Sequence, residues 1–538
     1  MNINDLMHGI SNLVGTDPQE ALRVIKANKV ELDKYLNGRL NKSGFLIDIG
    51  SNLEDEAIIM EGLDGITKFM NDLSKEPAET QASLYPPALY NFANGFSALS
   101  TIERKRSGGI ISPDNETYQK TKELYRMGFA HSLLQDDAQG AKLRINYGNV
   151  LSSMGRSLEA IHQFEEAIRI DPNNPIGIGN LGVELALHSR ISGDPHLLVE
   201  AKDLLLTALG KKEAMIEIAG AHIEGHYKAY LDWVTRRMDA QRLSKEKPAS
   251  LFEKFHKHWR KLRVRKPDKK FLEMCKENEL FLNFGIRNRG SDFIADTIFP
   301  YSLTAGMEDD VTIPRLLRTV NEIKERYATA RFSLFEALHP LFDLSPYENM
   351  TYYADTLDYA AYGLRVAKVK FALENAFNIL DKIAFFLDYY LELKMDENSI
   401  NFFNIWTEKI NGKRQLKKSI HDRMNSKLMG LYDLSIDLTP EGYLYPIRKS
   451  RNVSTHRYLI PHVEGWRMGT EIDGEDYHLM YEELTEKTIK VLQIARAAVI
   501  YMIALINEEE SKKKSGGSKS APVIYPPYEH FNFNPANP

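Results

Sequence analysis

The sequence predicts an all-α protein: an N-terminal helical-repeat region followed by a C-terminal helical bundle. Three observations carry this. Apolar residues recur at three- and four-residue spacing along almost the whole chain, and alternating strand-like runs are few. Small residues recur with a 34-residue period between Gly148 and Gly182. Two stretches, 355–394 and 477–509, carry continuous apolar stripes of the kind a core helix needs.

Taken in order, residues 1 to 110 read as short helices separated by Gly, Pro and Asn, with ALYNFANGFSAL (88–99) forming one arm of a helical hairpin. The clearest repeat is AKLRINYGNVLSSMGRSLEAIHQFEEAIRIDPNN (141–174). Gly148, Ala160 and Ala167, with Phe164 between the alanines and Pro172 at the end, fall on the tetratricopeptide (TPR) pattern. Gly148 and Ala160 let two helices approach closely, Phe164 fills the gap between hairpins, and Pro172 stops the second helix. A second unit begins near Pro175; an insertion around ISGDPH (191–196) displaces its second helix before Ala201 and Ala208 resume the pattern. One strong and one weak repeat share too little core to stand alone, so flanking helices must supply further layers.

Residues 211–345 read as helical. Within them HKHWRKLRVRKPDKK (256–270) is a basic stretch with Pro267, expected as an exposed loop in which Trp259 and Arg260 could stack on or pair with RNA. Residues 355–394 form one long helical pattern, with Glu374, Asn378 and Asp381 beside its apolar stripe. A second helical stretch, 399–430, is basic at Lys413, Arg414, Lys417 and Lys418, a candidate RNA-binding set. The segment YPIRKSRNVSTHRYLIP (445–461) and the last strong helix follow. The tail from Ser511 is rich in Ser, Gly, Pro and Lys and is expected to be disordered. The expected division is therefore 1–210 helical repeats, 211–350 a helical middle region, 351–510 a helical bundle and 511–538 a tail.

Composition narrows the function. The chain has 538 residues, 43% hydrophobic, a formal net charge of −5 and a pI near 6.3. A globally basic nucleic-acid binder is excluded, so any such affinity must come from local patches. Cys275 is the single cysteine, which excludes an intrachain disulfide and a cysteine-based zinc site and suits a reducing cytoplasm. No metal or cofactor is expected. The opening MNINDLMHGISNLVG is neither basic nor followed by a long apolar run, so no signal peptide is expected. The run Val491–Ile506 is interrupted by Gln493 and Arg496 and falls short of the roughly 20 residues a membrane span needs. It reads as a buried core helix, and no membrane partner is expected.

Two motifs carry no chemistry despite their letters. Gly177-Ile178-Gly179-Asn180-Leu181-Gly182 matches the dinucleotide fingerprint, but it follows a DPNN turn and opens a helix, without the preceding strand that the fingerprint requires. His222-Ile223-Glu224-Gly225-His226 is not the zinc-protease order, in which Glu directly follows the first His.

The chemistry-bearing motif is Arg451-Asn452-Val453-Ser454-Thr455-His456, an Arg-x4-His form with a polar residue directly after the arginine. It stands between a long apolar helix and a final apolar helix. This arrangement resembles the signature of the HEPN superfamily, and Arg457-Tyr458 extends the likeness. More narrowly, it resembles a prokaryotic HEPN family with N-terminal TPR-like repeats, to which YNFANGF, the 141–174 repeat and FLEMCKENELFLN (271–283) add a looser likeness. The resemblance implies a metal-independent endoribonuclease, working as a homodimer in which two motifs face one cleft. His456 would serve the proton transfers near neutral pH and Arg451 would grip phosphate oxygens. Asn452 would bond to substrate or to His456, while Thr455 and Glu374 would orient Arg451 and Arg457 would support it. Tyr458 stands where some HEPN toxins carry a modified tyrosine; the simpler expectation is a packing aromatic. On an ideal helix, residues five apart sit about 140° apart, so Arg451 and His456 cannot share one narrow face. The expected role is a regulated toxin or effector in prokaryotic defence or stress response, whose repeat region senses a trigger or binds a protein partner. The alternative is a TPR-type scaffold whose HEPN-like part serves only dimerisation.

Overall fold

The structure, a computed structural model, describes residues 3–109, 111–129, 138–192, 195–220, 222–240, 243, 268–283, 296, 298–300, 302–304, 312–410, 413–463, 472–473, 476–515 and 520–522. Helices dominate, as the 3.6-residue periodicity predicts. The chain divides into two units: Met1–Leu187 with Pro195–Pro248, and His188–Asp194 with Ala249–Pro538.

The elements described in the first unit are all helices: α1 (Ile3–Thr16), α2 (Pro18–Ala27), α3 (Lys29–Asp33), α4 (Leu36–Leu53), α5 (Glu56–Leu73), α6 (Ala78–Arg106), α7 (Glu116–Phe129), α8 (Ala138–Ser153), α9 (Ser157–Ile170), α10 (Pro175–Ser192, whose last turn from His188 is assigned to the second unit), α11 (Pro195–Leu209), α12 (Lys212–Ala219) and α13 (His222–Ala240). Local chemistry sets the starts. Asp17 accepts from the Glu20 N–H before Pro18, and Asp55 accepts from the N–H groups of Ala57 and Ile58. One core lies between α4, α5 and α6, around Ile47, Leu63, Ile66 and Phe69. The segment 88–99 falls inside the long α6.

Helices α8 and α9 pack side by side. A Cβ on Gly148 would lie 2.5 Å from the Phe164 ring, so the glycine is what lets these two helices close. A Cβ on Gly179 of α10 would lie 2.2 Å from the ring of Tyr227 on α13. The Tyr227 hydroxyl lies 2.7 Å from Asn180 Oδ1 and 3.1 Å from the Ile176 carbonyl. The Gly177–Gly182 run is thus helix packing surface. Asn174 caps its first turn, accepting from the Ile176 and Gly177 N–H groups. Tyr227 also explains why the first unit extends past the expected boundary at 210: α13 packs along α11 and sets Tyr227 against α10.

The second unit comprises α14 (Lys269–Glu277), β1 (Ser302–Thr304), α15 (Thr312–Leu338), α16 (Ser345–Glu348), α17 (Leu364–Tyr390), a 3₁₀ turn (Glu397–Ser399), β2 (Thr407–Ile410), β3 (Lys413–Leu416), α18 (Lys418–His421), α19 (Ser426–Asp437), α20 (Tyr445–His456), β4 (Tyr458–His462), β5 (Ile472–Asp473), β6 (Asp476–Met480), α21 (Tyr481–Ser515) and β7 (Ser520–Pro522). Helix α17 packs along α15 and α21, and α19 packs on α21. By length and composition α21 could cross a membrane, but 83% of its most apolar window is buried inside the fold, as expected of a core helix.

Buried arginines bind the segment after α14 into this core. Arg331 pairs with Asp296 at 2.7 Å and donates to the Leu280 carbonyl, while Arg496 donates to the carbonyls of Phe281 and Asn283. Residues 269–283 and α15 therefore belong with the C-terminal bundle and not with a separate middle region.

The strands correct the sequence reading in three places. Residues 399–430 hold the antiparallel pair β2–β3, where one helical stretch was expected. Tyr458–His462 and Asp476–Met480 form parallel neighbours in a sheet of order β4-β6-β5, with β5 antiparallel to β6. The tail is ordered further than its composition suggested: α21 runs to Ser515, and β7 pairs antiparallel with β1. Residues 523–538 lie outside the described residues.

Candidate functional site

Helix α20 starts with Pro446 in its first turn, where a missing N–H costs nothing, and ends at His456. Arg457 is extended, its N–H closing on the Val453 carbonyl at 2.8 Å, and the chain enters β4 directly. Val453 and Ser450 face inward. Asn452, Thr455, His456, Arg457 and Tyr458 are exposed, and Arg451 is partly so.

Two contacts lock α20 against α17. The Ser454 hydroxyl donates to Glu374 Oε1 at 2.6 Å, and Arg451 Nη2 lies 3.6 Å from Asp381 Oδ2. The contacts ascend α17 as they descend α20, so the two helices run in opposite senses. This corrects the expectation for Glu374: its partner is Ser454, and the carboxylate beside Arg451 is Asp381, two helical turns further along the same polar stripe. Asp381 also accepts from the Phe402 N–H at 3.2 Å. Burial pushes its carboxyl above the usual range, against the pull of that hydrogen bond and of the Arg451 and Arg448 charges. Arg448 lies flat over the Phe403 ring, 3.6 Å from its centroid, and donates to the Leu438 carbonyl.

The remaining candidates divide. Arg451 Nη1 donates to Asn452 Oδ1 at 3.3 Å, and the Thr455 hydroxyl donates to the Arg451 carbonyl at 3.0 Å, which steadies the helix and not the guanidinium. His456 has no hydrogen bond or ion pair among the described residues, and its ring faces solvent. Tyr458 is 65% exposed, so it is not the packing aromatic that was expected. Lys417 is committed to structure. Its Nζ donates to the Ile405 carbonyl at 2.9 Å, and burial lowers its pKa, so it is removed from the RNA-binding set. Lys418 is exposed. The side chains of Lys413 and Arg414, and all of Trp259 and Arg260, lie outside the described residues.

Sequence reasoning missed Asp381 as the arginine's partner, and missed Ser454 and Arg448. The signal for Asp381 was its seven-residue spacing from Glu374 on one helix face. The arrangement offers a guanidinium restrained by a carboxylate and, at the next helix end, a solvent-facing imidazole. Such a pair can bind a phosphodiester and move protons. Residues 307–509 match the family model described as LA2681-like HEPN. No curated protein matches the chain.

Proposed function

The C-terminal part of this chain is a HEPN domain, and on that premise we propose that the protein is an endoribonuclease cleaving RNA by attack of the internal 2′-hydroxyl. His456 takes the 2′-hydroxyl proton as the 2′-oxygen bonds to phosphorus; the bond from phosphorus to the 5′-oxygen breaks, and that oxygen leaves with the proton returned by the His456 imidazolium. Arg451, held by Asp381, offsets the charge on the phosphoryl oxygens. No metal is required at the reacting phosphate. The observation that carries this reading is the pair itself: a carboxylate-restrained arginine and an exposed histidine with no hydrogen bond among the described residues, on one short helix.

The likeness to HEPN proteins, and not the spacing of the two residues, favours a homodimer, in which each chain contributes to a shared cleft. An exposed apolar run beside the motif supports the same arrangement. Met350, Tyr352, Leu357 and Tyr359 are 80%, 97%, 86% and 69% exposed. This run joins β4 through the Ala361 N–H to the Pro461 carbonyl, next to exposed Tyr458. The occupant we infer is a second copy of the domain. The activity would act in the cytoplasm as a regulated toxin or effector, with the N-terminal helical unit as sensor or partner-binding module.

The deciding experiment is RNA cleavage by the full chain with end-group analysis. Cleavage that leaves 2′,3′-cyclic phosphate, or the 3′-phosphate from its hydrolysis, and that is lost in Arg451→Ala and His456→Ala, is the expected result. Products ending in 3′-hydroxyl, or equal cleavage by all three proteins, would overturn it. The scaffold alternative predicts a dimer with no cleavage in any condition.

A further inference from the structure

Strands β4 and β6 each bury one histidine, and neither takes part in the proposed cleavage. His462 is fully buried and His478 nearly so. His462 Nδ1 lies 2.9 Å from the Asp358 carbonyl oxygen. A carbonyl can only accept, so Nδ1 carries the proton and a neutral ring presents its lone pair at Nε2. That Nε2 lies 2.9 Å from His478 Nδ1, and the rings stack with centroids 5.2 Å apart. The Asp358 carboxylate completes the cluster: one of its oxygens and one ring nitrogen of each histidine all fall within 4.8 Å of one another.

We propose that Asp358, His462 and His478 form a binding site for a divalent transition-metal ion of the zinc type. Two imidazoles and one carboxylate are a ligand set that such ions take and that calcium and magnesium, which prefer oxygen, do not. The bond from His462 Nδ1 to a backbone carbonyl is the outer support by which metal-bound histidines are held in one tautomer and one orientation. A tetrahedral ion with ligands at about 2.0–2.2 Å sets them about 3.3 Å apart. The two ring nitrogens already stand close to this spacing; the ion takes the place of the proton that His478 Nδ1 donates to His462 Nε2, which is released from Nδ1 on binding, and the carboxylate must swing inward. Asp358 can do so because it is partly exposed on the segment before α17. The Thr356 hydroxyl and the Ala360 N–H both bond to its Oδ1, and Oδ2 takes part in neither bond. Asp358 sits between Leu357 and Tyr359, at φ 59° and 63°, a left-handed backbone that non-glycine residues adopt at a cost. A bound ion would tie this segment to β4 and β6, immediately after the helix that ends in His456. The role is structural, and it stands whether or not the domain cleaves RNA.

The test is metal binding by the full chain, stripped with chelator, dialysed and titrated with Zn²⁺ alone by calorimetry and with Co²⁺ by visible absorption. Expected are one ion per chain, a ligand-field band with Co²⁺, and a rise in melting temperature on adding Zn²⁺. Asp358→Asn should weaken binding at least about tenfold while melting like the wild type without metal. His478→Gln should abolish the ligand-field band, and His456→Ala should keep the ion with unchanged affinity. A wild type that takes up no ion, or Asp358→Asn and His478→Gln proteins that bind as the wild type does, overturns the proposal. If the buried histidine variant fails to fold, the comparison of Asp358→Asn with wild type decides alone.

Discussion

Replacing Asp381 with asparagine separates the positioning of Arg451 from the stability of the fold. The two charges lie 3.6 Å apart, with side chains 24% and 32% exposed. At an effective dielectric near 20 their gross attraction is about 4–5 kcal/mol. Solvent screening and side-chain ordering leave a net value of about 0–1 kcal/mol for pairs this open. Burial of the carboxylate acts the other way and dominates, since its pKa is raised despite two nearby guanidinium groups. A carboxyl with a raised folded-state pKa contributes stability that is present below the ordinary carboxylate range and lost as pH rises through the raised value. At neutral pH the ionised Asp381 therefore gives the fold little or nothing. Asparagine keeps an oxygen for the Phe402 N–H and removes the buried charge. The Asp381→Asn protein should unfold within about 1 kcal/mol of the wild type at pH 7. Its RNA cleavage should fall about tenfold, equivalent to about 1.4 kcal/mol of lost orientation. The assay is kcat/KM on a fluorogenic RNA for Asp381→Asn, Arg451→Ala and the double variant, beside denaturant unfolding of each. Acting through the arginine, the asparagine should add nothing to Arg451→Ala. Independent, additive losses, or a fall in stability with cleavage intact, would refute the positioning role.

Glu374→Ala should cost about 1 kcal/mol, because the Ser454 hydroxyl loses its acceptor, whereas Glu374→Gln keeps an oxygen and should cost less; denaturant unfolding distinguishes them. Gly148→Val should destabilise the first unit by about 1–3 kcal/mol through its clash with Phe164, and Phe164→Leu should recover part of that in the double variant, read from the unit's thermal transition. Burial pushes the Cys275 thiol up to about 12 from an ordinary value near 9. An aromatic disulfide reagent should therefore find no thiol in the native protein and one after denaturation. Above the ordinary value the unfolded chain loses this proton first, so stability should fall as pH rises from there toward 12.

The helices were legible because their signal is periodic and local. The stripe at 364–390 buries one continuous face, the run 491–506 is buried on nearly every side, and Gly148 with Phe164 names the helix pair it closes. The β2–β3 pair was also legible and was passed over. Asn411-Gly412 between TEKI and KRQL is a strong hairpin signal, masked by a basic composition that suits an exposed helix equally well. Strands β4 and β6 were not legible, because their burial depends on a parallel pairing across the intervening residues that no local pattern encodes. The candidates Arg451 and His456 were singled out by the resemblance of their motif and its place between two apolar helices. The seven-residue spacing put Glu374 and Asp381 on one face of α17 as joint candidates, and the docking of α20 selects which one meets the arginine.

The pairing of β1 with β7 has a consequence for the order of synthesis. Leu303 pairs with Ala521, so this ladder cannot close until the chain through residue 522 has left the ribosome. A protein cut at Glu509, where the matched domain ends, would leave Ser302–Thr304 as a bare edge able to recruit strands from other molecules. Recombinant forms of the isolated domain should therefore start before Ser302 and retain residues through Pro522, and a bulky C-terminal fusion should be separated from Pro522 by a flexible spacer.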